Sequence, residues 1–375
     1  MVELPRRWPY SWRGLQGPIG RYVILRVETD AGLVGLGEAP VLPDWGGEHG
    51  RYYGEDPATA VHVLKEYLSP VLVGADPLDI PMLLQRMDVP LQGYMNCKAA
   101  VDVALHDLAG KAMGVPVYQV LGGAFRRQIP ICHSVGLAPP EDAAREAAAA
   151  AADGIRAMQV KVDGDPAGDR AVIAACREAV GKDIAVYPDI NQGYRTPKEA
   201  IRAVASMEEF GISMVEQPVE GLEAMARVTE AMNVPVMADE GAWTPQDVVE
   251  IVRRRGADAI SIYYSKSGGL HRAMQVGHVT AAAGMPVNVN GALEMGVGNA
   301  ANLHLAAALG GIVLPSVIPV TTLEGCEQNR VGGVFYTDDI VKEPFPFADG
   351  CLTVPDRPGL GVELDPEKID RYRVG

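Results

Sequence analysis

The 375-residue chain is poor in cysteine and in positive charge, and each shortage excludes classes of protein. Its five cysteines are an odd number, widely spaced and without a CxxC pair, so neither a disulfide framework nor a zinc ribbon fits. Acidic residues outnumber basic ones by 48 to 33, and the net charge of −15 argues against a nucleic-acid partner. The sequence also lacks an apolar run of membrane-helix length and a signal-peptide core. We therefore expect an unexported, cytoplasmic protein without a membrane partner.

The overall composition is typical of a folded protein, and the length indicates more than one structural unit. Hydrophobic residues make up 48% and charged residues 22% of a chain long enough for about two domains. Two runs rich in apolar residues flank Asp-Ala-Gly within residues 21–39, a pattern typical of a β-hairpin. A helical period covers Cys97 to Met113 and places Ala100 and Leu108 on one face, and Gly114 follows as a stop signal. The first third of the chain is thus predicted to be α+β.

From Gln128 onward, eight short Val/Ile-rich runs alternate with helical segments. This alternation predicts right-handed βαβ units and a parallel sheet, which eight units would close into a (β/α)8 barrel. A doubly wound sheet is the alternative architecture. We place the first domain at residues 1–125, completed by the tail at 337–375, and the α/β barrel at residues 126–336.

Polar side chains end nearly every predicted barrel strand from the second onward. Because a barrel gathers the C-terminal ends of its strands at one mouth, these side chains are expected to converge there. Crowded carboxylates repel one another and are costly to bury, so a trio of them favours a bound cation over three unrelated strand caps. All-oxygen ligation in an open site favours Mg²⁺. The residues at the strand ends are Lys161, Asp189, Glu216, Asp239, Tyr263 and Asn290.

Lys161 is one strand–helix unit upstream of the first acid and is one of only nine lysines, against 24 arginines. A buried lysine beside a divalent cation is pushed toward its neutral form and can then act as a general base, which arginine cannot do. The alternative is that Lys161 only balances the charge of the carboxylates. His133, at the end of the first predicted barrel strand, is a further residue that could line the mouth.

An ordered series of motifs extends over nearly the whole chain. In chain order the motifs are VDVALHDLAGKAMGVPVYQVLGG, QVKV, DINQGY, VEQP, ADE, SKSGGL and GALEMGVGNAANLHLAAA. Together they resemble the muconate-lactonizing subgroup of the enolase superfamily. The resemblance implies a modified TIM barrel, (β/α)7β, capped by the N-terminal α+β domain, and a homo-oligomer. It also implies Mg²⁺-dependent removal of the proton α to a carboxylate, giving an enediolate.

Matched residue by residue, the resemblance assigns roles at the barrel mouth. Asp189, Glu216 and Asp239 match the ligands of one Mg²⁺, for which Mn²⁺ is a possible substitute, and Lys161 matches the second, catalytic lysine of a Lys-x-Lys pair. The positions that match accessory polar residues near the ligands are Asn191 and Glu240.

Two positions depart from the pattern. Gln159 stands where the Lys-x-Lys pair has its first lysine, and Tyr263 stands where two-base members have a lysine at the end of strand six. Lys266 follows three residues later, about 10 Å along a continued strand and on the opposite face, so we do not expect it to replace that base unless the strand is bulged. Tyr263 is a poor base but a usable proton donor, or else a packed strand aromatic.

A single lysine favours a one-base reaction. We therefore predict a lyase that dehydrates or otherwise β-eliminates a small carboxylate substrate, or a cycloisomerase, with a racemase or epimerase of an amino-acid derivative as the alternative. A barrel that binds Mg²⁺ and a carboxylate without turnover is the third possibility. The expected additional contacts to substrate, or to the groups around it, are Gln159, Asn191, Glu240, Lys266, Asn290, Glu294 and the aromatic loop residues Trp45 and Tyr53. A structural or electrostatic role is the alternative for Glu294.

Overall fold

The computed structural model describes residues 1–15, 19–47, 54–311, 313–325 and 330–375. The chain begins with an antiparallel sheet of three strands in the order β1 (Val2–Glu3), β2 (Arg21–Glu28) and β3 (Val34–Ala39). In the turn between β2 and β3, the Leu33 amide donates to the Thr29 hydroxyl at 3.1 Å and Gly32 adopts a φ of +80°. This confirms the hairpin that was predicted over residues 21–39.

Helices follow the hairpin. They are α1 (Pro57–Val63), a π-helical segment (Leu64–Leu68), α2 (Ser69–Leu72), α3 (Ile80–Asp88), α4 (Met95–Met113) and α5 (Val117–Val120). The long helix α4 matches the prediction from residue 97 to 113 and ends at Gly114, whose φ is +69°.

The second unit is a parallel sheet of seven strands that pair in chain order. Its strands are β5 (His133–Val135), β6 (Ala157–Lys161), β7 (Ala185–Asp189), β8 (Val215–Glu216), β9 (Val236–Ala238), β10 (Ala259–Ile262) and β11 (Val287–Val289). The helices between and after them are α6 (Pro140–Ala152), α7 (Pro166–Val180), α8 (Pro197–Glu208), α9 (Leu222–Ala231), α10 (Pro245–Arg254), α11 (Tyr264–Ser267), α12 (Leu270–Ala282) and α13 (Gly296–Ala308).

The eighth apolar run closes this sheet without forming a strand of its own. Val313 makes a parallel bridge to Val287 of β11, and Ser316 makes one to Ile131, next to β5. Pro315 lies between the two bridges and has no N–H to donate, which limits pairing here. The barrel is thus (β/α)7β with a closing segment, as the resemblance implied, and the expectation of eight equivalent βα units was wrong.

The C-terminal tail returns to both units. Its strands β12 (Phe347–Ala348) and β13 (Cys351–Thr353) form an antiparallel sheet with β4 (Gln128–Pro130), and α14 (Pro366–Tyr372) follows. Beyond α14, Arg373 bridges to Val2 of β1, so the tail contacts the N-terminal sheet as expected. The boundaries 1–125, 126–336 and 337–375 stay a prediction. Within the described ranges, no helix is long and apolar enough to cross a membrane.

Helix α4 joins the two units. The sequence predicted one apolar face, but the helix is buried on all sides from Asn96 to Gly110. On one side β3 approaches so closely that a Cβ at Gly35 or Gly37 would lie 2.2 or 1.9 Å from a carbonyl oxygen of α4. On the other side, Asp102 of α4 accepts from the Leu270 amide at the start of α12. The helix therefore packs against the hairpin and the barrel at once.

Candidate active site

Four strand ends bring the predicted charged residues together at one rim of the barrel. The parallel register pairs Lys161 with Asp189 and Asp189 with Glu216, so these three side chains lie on adjacent strands. Glu216 is paired in turn with Met237, which places Asp239 just beyond the end of β9. All four residues are buried. The structure thus places the lysine and the three acids as the strand-end pattern predicted.

Lys161 is held between oxygens. Its Nζ donates to Asp189 Oδ2 at 2.5 Å and to Asn191 Oδ1 at 3.3 Å. Burial lowers the pKa of Lys161, but attraction to Asp189, Tyr10 and Glu216 outweighs burial and raises the pKa above its usual value. The amine is therefore charged in this environment, and it can become a base only when the surrounding negative charge is compensated.

Burial raises the pKa values of the carboxylates at the barrel mouth. Desolvation, followed by repulsion from Asp189 and Asp239, raises the pKa of Glu216 well above its ordinary value. Desolvation likewise raises the pKa of Asp189, although Lys161 opposes this. Glu240 accepts from the Asn191 amide at 3.0 Å, and burial with repulsion from Asp239 and Asp189 raises its pKa to about 8. Four buried acids thus face each other around two lysines, Lys161 and Lys266.

The donor set fits a hard divalent cation, although the described residues contain no group of three or more His, Cys, Asp or Glu side chains already arranged around a metal position. Protein donors engage Asp189 and Asp239 instead. Two buried oxygens, Glu216 Oε1 and Glu240 Oε2, have no hydrogen-bond partner among the described residues. Unpaired carboxylate oxygens and an excess of negative charge are what an Mg²⁺ ion satisfies, once Lys161 releases Asp189.

Lys266, one of the residues expected near the substrate, lies at the barrel rim beside Asp239. Strand β10 ends at Ile262, and the chain then folds into the helical turn α11, which brings Lys266 back toward the rim. Its Nζ donates to Asp239 Oδ1 at 2.7 Å, to the Asp239 carbonyl at 2.8 Å and to the Ser261 carbonyl at 2.8 Å. The sequence argument assumed a continued strand, and the helical turn is what brings Lys266 to the rim; that Lys266 does not replace the strand-six base stays a prediction. With three acceptors, Lys266 holds Asp239 in place.

Tyr263 lies at the junction of β10 and α11 and lines the central cavity. Its hydroxyl donates to Asp239 Oδ2 at 3.1 Å. Burial, followed by repulsion from Asp239, raises the pKa of Tyr263 well above its ordinary value, so the phenol keeps its proton. Its ring stacks on Trp45 at 5.6 Å between centroids. Tyr263 is therefore both a packed aromatic residue and a hydrogen-bond donor, as the two interpretations of the sequence allowed.

Polar side chains and aromatic rings line the cavity at the barrel mouth. Trp45 stacks on Trp243 at 5.1 Å, and the Trp12 ring lies 5.8 Å from Lys161 Nζ. Asn290 lines the cavity and accepts from the Val317 amide at 2.9 Å. Tyr53, the other aromatic loop residue predicted to contact the substrate or its surroundings, lies outside the described residues.

Glu294 and His133 make their hydrogen bonds away from the strand-end acids. Glu294 is fully buried and accepts from the Ala292 amide at 3.2 Å. Its structural interpretation is therefore favoured over contact with substrate. His133 points away from the mouth, with Nε2 2.9 Å from Glu146 and Nδ1 accepting from Gly333.

Sequence reasoning missed two residues of the site. Ser134 lines the cavity and donates to Gln159 Oε1 at 2.5 Å. Successive side chains of a strand point to opposite faces, so the outward direction of His133 was a signal that Ser134 points inward. Trp243, which supports Trp45, donates from its indole to the Glu240 carbonyl at 3.0 Å. No spacing rule pointed to Trp243.

Comparisons with known proteins identify the family of this chain. The family model "Mandelate racemase / muconate lactonizing enzyme, N-terminal domain" matches residues 16–122, and "Enolase C-terminal domain-like" matches residues 142–368. An N-succinyl-L-Arg/Lys racemase of Bacillus cereus is 31% identical over 94% of this chain and 90% of that protein. Muconate cycloisomerase 1 of Rhodococcus opacus is 32% identical over 99% of this chain and 96% of that protein.

One of the solved structures similar to this chain contains a bound metal ion. The dipeptide epimerase of Cytophaga hutchinsonii, crystallised with Mg and the dipeptide D-Ala-L-Val, has a TM-score of 0.86 and 28% identity. The alignment covers 99% of this chain and 95% of that one. The chain therefore belongs to the mandelate racemase/muconate lactonizing enzyme family of the enolase superfamily, and it is an enzyme.

Proposed function

We propose that this enzyme binds one Mg²⁺ through Asp189, Glu216 and Asp239, and that Lys161 removes the α-proton of a small carboxylate substrate. The supporting observation is the placement of Lys161 and the three acids on adjacent strand ends of one barrel. When bound, the ion supplies positive charge that stabilises the negative charge developing on the substrate carboxylate. Mn²⁺ has the same preference for oxygen ligands and is a possible substitute.

Lys161 must lose its proton before it can act. Asp189 Oδ2 holds the ammonium group, and the neighbouring carboxylates favour the charged form. Turning Asp189 away from Lys161 removes the strongest attraction that raises the pKa of Lys161, so that desolvation, which favours the neutral amine, is opposed only by the weaker attractions to Tyr10 and Glu216. The same movement frees Nζ, beside the Trp12 ring, to face a substrate in the cavity.

The wall opposite Lys161 offers a proton donor rather than a second base. In the ring formed by seven strands and the closing segment, β6 and β10 are four positions apart and therefore face each other. Tyr263 at the end of β10 keeps its proton, because burial and Asp239 raise its pKa. We propose a one-base reaction, preferably a β-elimination in which Lys161 takes the α-proton, the bond to the β-hydroxyl breaks and the leaving oxygen takes a proton from Tyr263 or Lys161. A cycloisomerisation needs the same single base.

Racemisation or epimerisation is the second candidate. It needs acid/base groups on both faces of the α-carbon, and Tyr263 is the residue that faces Lys161 from the opposite wall. The similar racemase of Bacillus cereus and the epimerase of Cytophaga hutchinsonii support it.

The deciding experiment incubates the enzyme and Mg²⁺ with a panel of carboxylic acids in D₂O and follows α-deuterium and products by NMR. An unsaturated or ring-closed product supports the one-base proposal, and deuterated substrate of inverted configuration supports racemisation. Lys182→Ala, a change at an exposed lysine, is the matched control for Lys161→Ala. The proposal is contradicted if an acid that the enzyme turns over is turned over equally by Lys161→Ala.

We also propose a cytoplasmic homo-oligomer. Superfamily resemblance supports the assembly, and the four unpaired cysteines in the described residues are consistent with a reducing compartment. Light scattering of the purified protein measures the oligomeric state.

A further inference from the structure

A chain of hydrogen bonds leads from the N-terminal segment to Glu216. Tyr10 Oη lies 2.6 Å from Ser134 Oγ, Ser134 Oγ lies 2.5 Å from Gln159 Oε1, and Gln159 Nε2 lies 2.7 Å from Glu216 Oε2. All four side chains are buried. The chain thus connects a residue outside the barrel sheet with a carboxylate at the barrel rim.

The direction of these hydrogen bonds follows from the chemistry of the groups. An ionised Glu216 only accepts, so the amide nitrogen of Gln159 must face it and the amide oxygen must face Ser134. The single hydroxyl proton of Ser134 is then donated to Gln159. Tyr10 must therefore donate to Ser134, and each group in the chain depends on the group before it.

Gln159 needs this support because of its chemistry. A lysine, which the resembled family has at this position, carries equivalent donors and would serve Glu216 in any rotation about its last bond. An amide has one donor end and one acceptor end, and a flipped Gln159 would set oxygen against oxygen. Ser134 prevents the flip by occupying the acceptor end.

With Oε2 engaged by Gln159, Glu216 keeps Oε1 buried and unpartnered within the part of the chain described. We propose that Tyr10 and Ser134 are positioning residues, which orient Gln159 so that Glu216 offers Oε1 to Mg²⁺. This inference rests on the metal site of the proposed function.

The position of Tyr10 adds a second consequence. Its ring packs edge-on against Phe335 at 5.2 Å and against Trp12 at 6.0 Å. Trp12 is also the ring beside Lys161. Tyr10 therefore connects the hydrogen-bond chain, through the Trp12 ring, with the residues beside the base.

The test is titration of the substrate-free protein with Mg²⁺ by isothermal calorimetry, with thermal unfolding as the measure of folding. Outer partners of metal ligands typically change affinity by about 10–100-fold, so Ser134→Ala is expected to weaken Mg²⁺ binding about tenfold. Tyr10→Phe removes one neutral hydrogen bond further out and is expected to weaken it about threefold. Ser206→Ala on α8 and Tyr67→Phe, which is 40% exposed, are matched controls and should leave the affinity unchanged.

A rescue distinguishes orientation from general packing. Gln159→Lys in the Ser134→Ala background should restore Mg²⁺ affinity, because an ammonium group needs no orienting partner, and Tyr10→Phe should have no further effect once Ser134 is absent. If folded Ser134→Ala and Tyr10→Phe bind Mg²⁺ with normal affinity, the positioning role of these two residues is wrong, while the metal site of the proposed function still stands. If the unchanged enzyme binds no Mg²⁺, the metal site of the proposed function fails together with that role.

Discussion

The cluster of buried acids at the barrel mouth and the cluster at the junction of β3 with α13 have different partners. At the barrel mouth, Asp189 and Asp239 are held by side-chain donors of lysines. At the junction of β3 with α13, Glu38 accepts from the amides of Met295 and Gly298, both at 2.7 Å. Backbone amides are fixed by the fold, whereas side chains can rotate away. The lysine contacts at the mouth can therefore be exchanged for a bound cation, whereas the backbone contacts of Glu38 cannot.

Electrostatics alone does not separate the two clusters. Burial raises the pKa of Glu38 well above its ordinary value, that of Glu294 to about 7 and that of Asp339 to about 6. These shifts resemble those of Glu216 and Glu240 at the mouth. A raised pKa identifies a buried acid, and only the nature of its partners indicates whether it acts.

The largest effect is expected from removing an exchangeable partner. Lys161→Ala should reduce α-proton exchange by about 10³-fold, because it deletes the base. Lys98→Ala removes another buried lysine, whose Nζ holds Asp88 at 2.8 Å, and should lower thermal stability while leaving exchange intact. Deuterium exchange by NMR measures the first effect. Comparable exchange in both variants would remove Lys161 from the mechanism.

A matched pair of acid substitutions tests the comparison directly. Glu216→Gln should weaken Mg²⁺ binding about 100-fold or more, since it neutralises a ligand. Glu38→Gln should leave Mg²⁺ affinity unchanged and cost about 1–2 kcal/mol of unfolding free energy, because it weakens the cap on α13. Calorimetry and denaturant titration give the two quantities. Equal effects of the two changes on Mg²⁺ affinity would break the distinction between the clusters.

A pair of phenols refines the comparison. Tyr263→Phe should slow product formation about tenfold in an elimination while α-proton exchange continues, because the leaving group loses its donor, whereas Lys161 remains and Lys266 still holds Asp239. Tyr22→Phe, at the junction, removes a hydrogen bond to the Ala292 carbonyl and should affect stability alone. Loss of exchange from a single enantiomer in Tyr263→Phe would instead show two-base chemistry and contradict the one-base proposal.

The last prediction concerns the pH dependence of stability at the junction of β3 with α13. Because burial raises the pKa of Glu294 from 4.5 to about 7, the folded state binds its proton more tightly than the unfolded state. The resulting stability is full below pH 4.5 and is lost as pH rises toward 7. We expect the unfolding free energy to fall by about 1–3 kcal/mol more across this range in the unchanged protein than in Glu294→Gln. Identical pH profiles would show that Glu294 is not protonated in the fold.

How much the sequence could predict depended on the range of the interactions. Lys161, Asp189, Glu216 and Asp239 were accessible, because the repeat of strand and helix fixes where strand ends lie. The helical turn that brings Lys266 to the rim was not predicted, because no local signal separated it from a continued strand. The role of Glu294 stayed open between substrate contact and a structural function, because its burial depends on a loop that folds over it.

Helix α4, enclosed between the hairpin and α12, has a consequence for how the protein unfolds. Detaching the hairpin would expose the whole apolar surface of α4, and detaching the barrel would strip Asp102 of its partners on α12. Neither unit can leave without destabilising the other, so the enzyme should melt cooperatively, in a single transition rather than two.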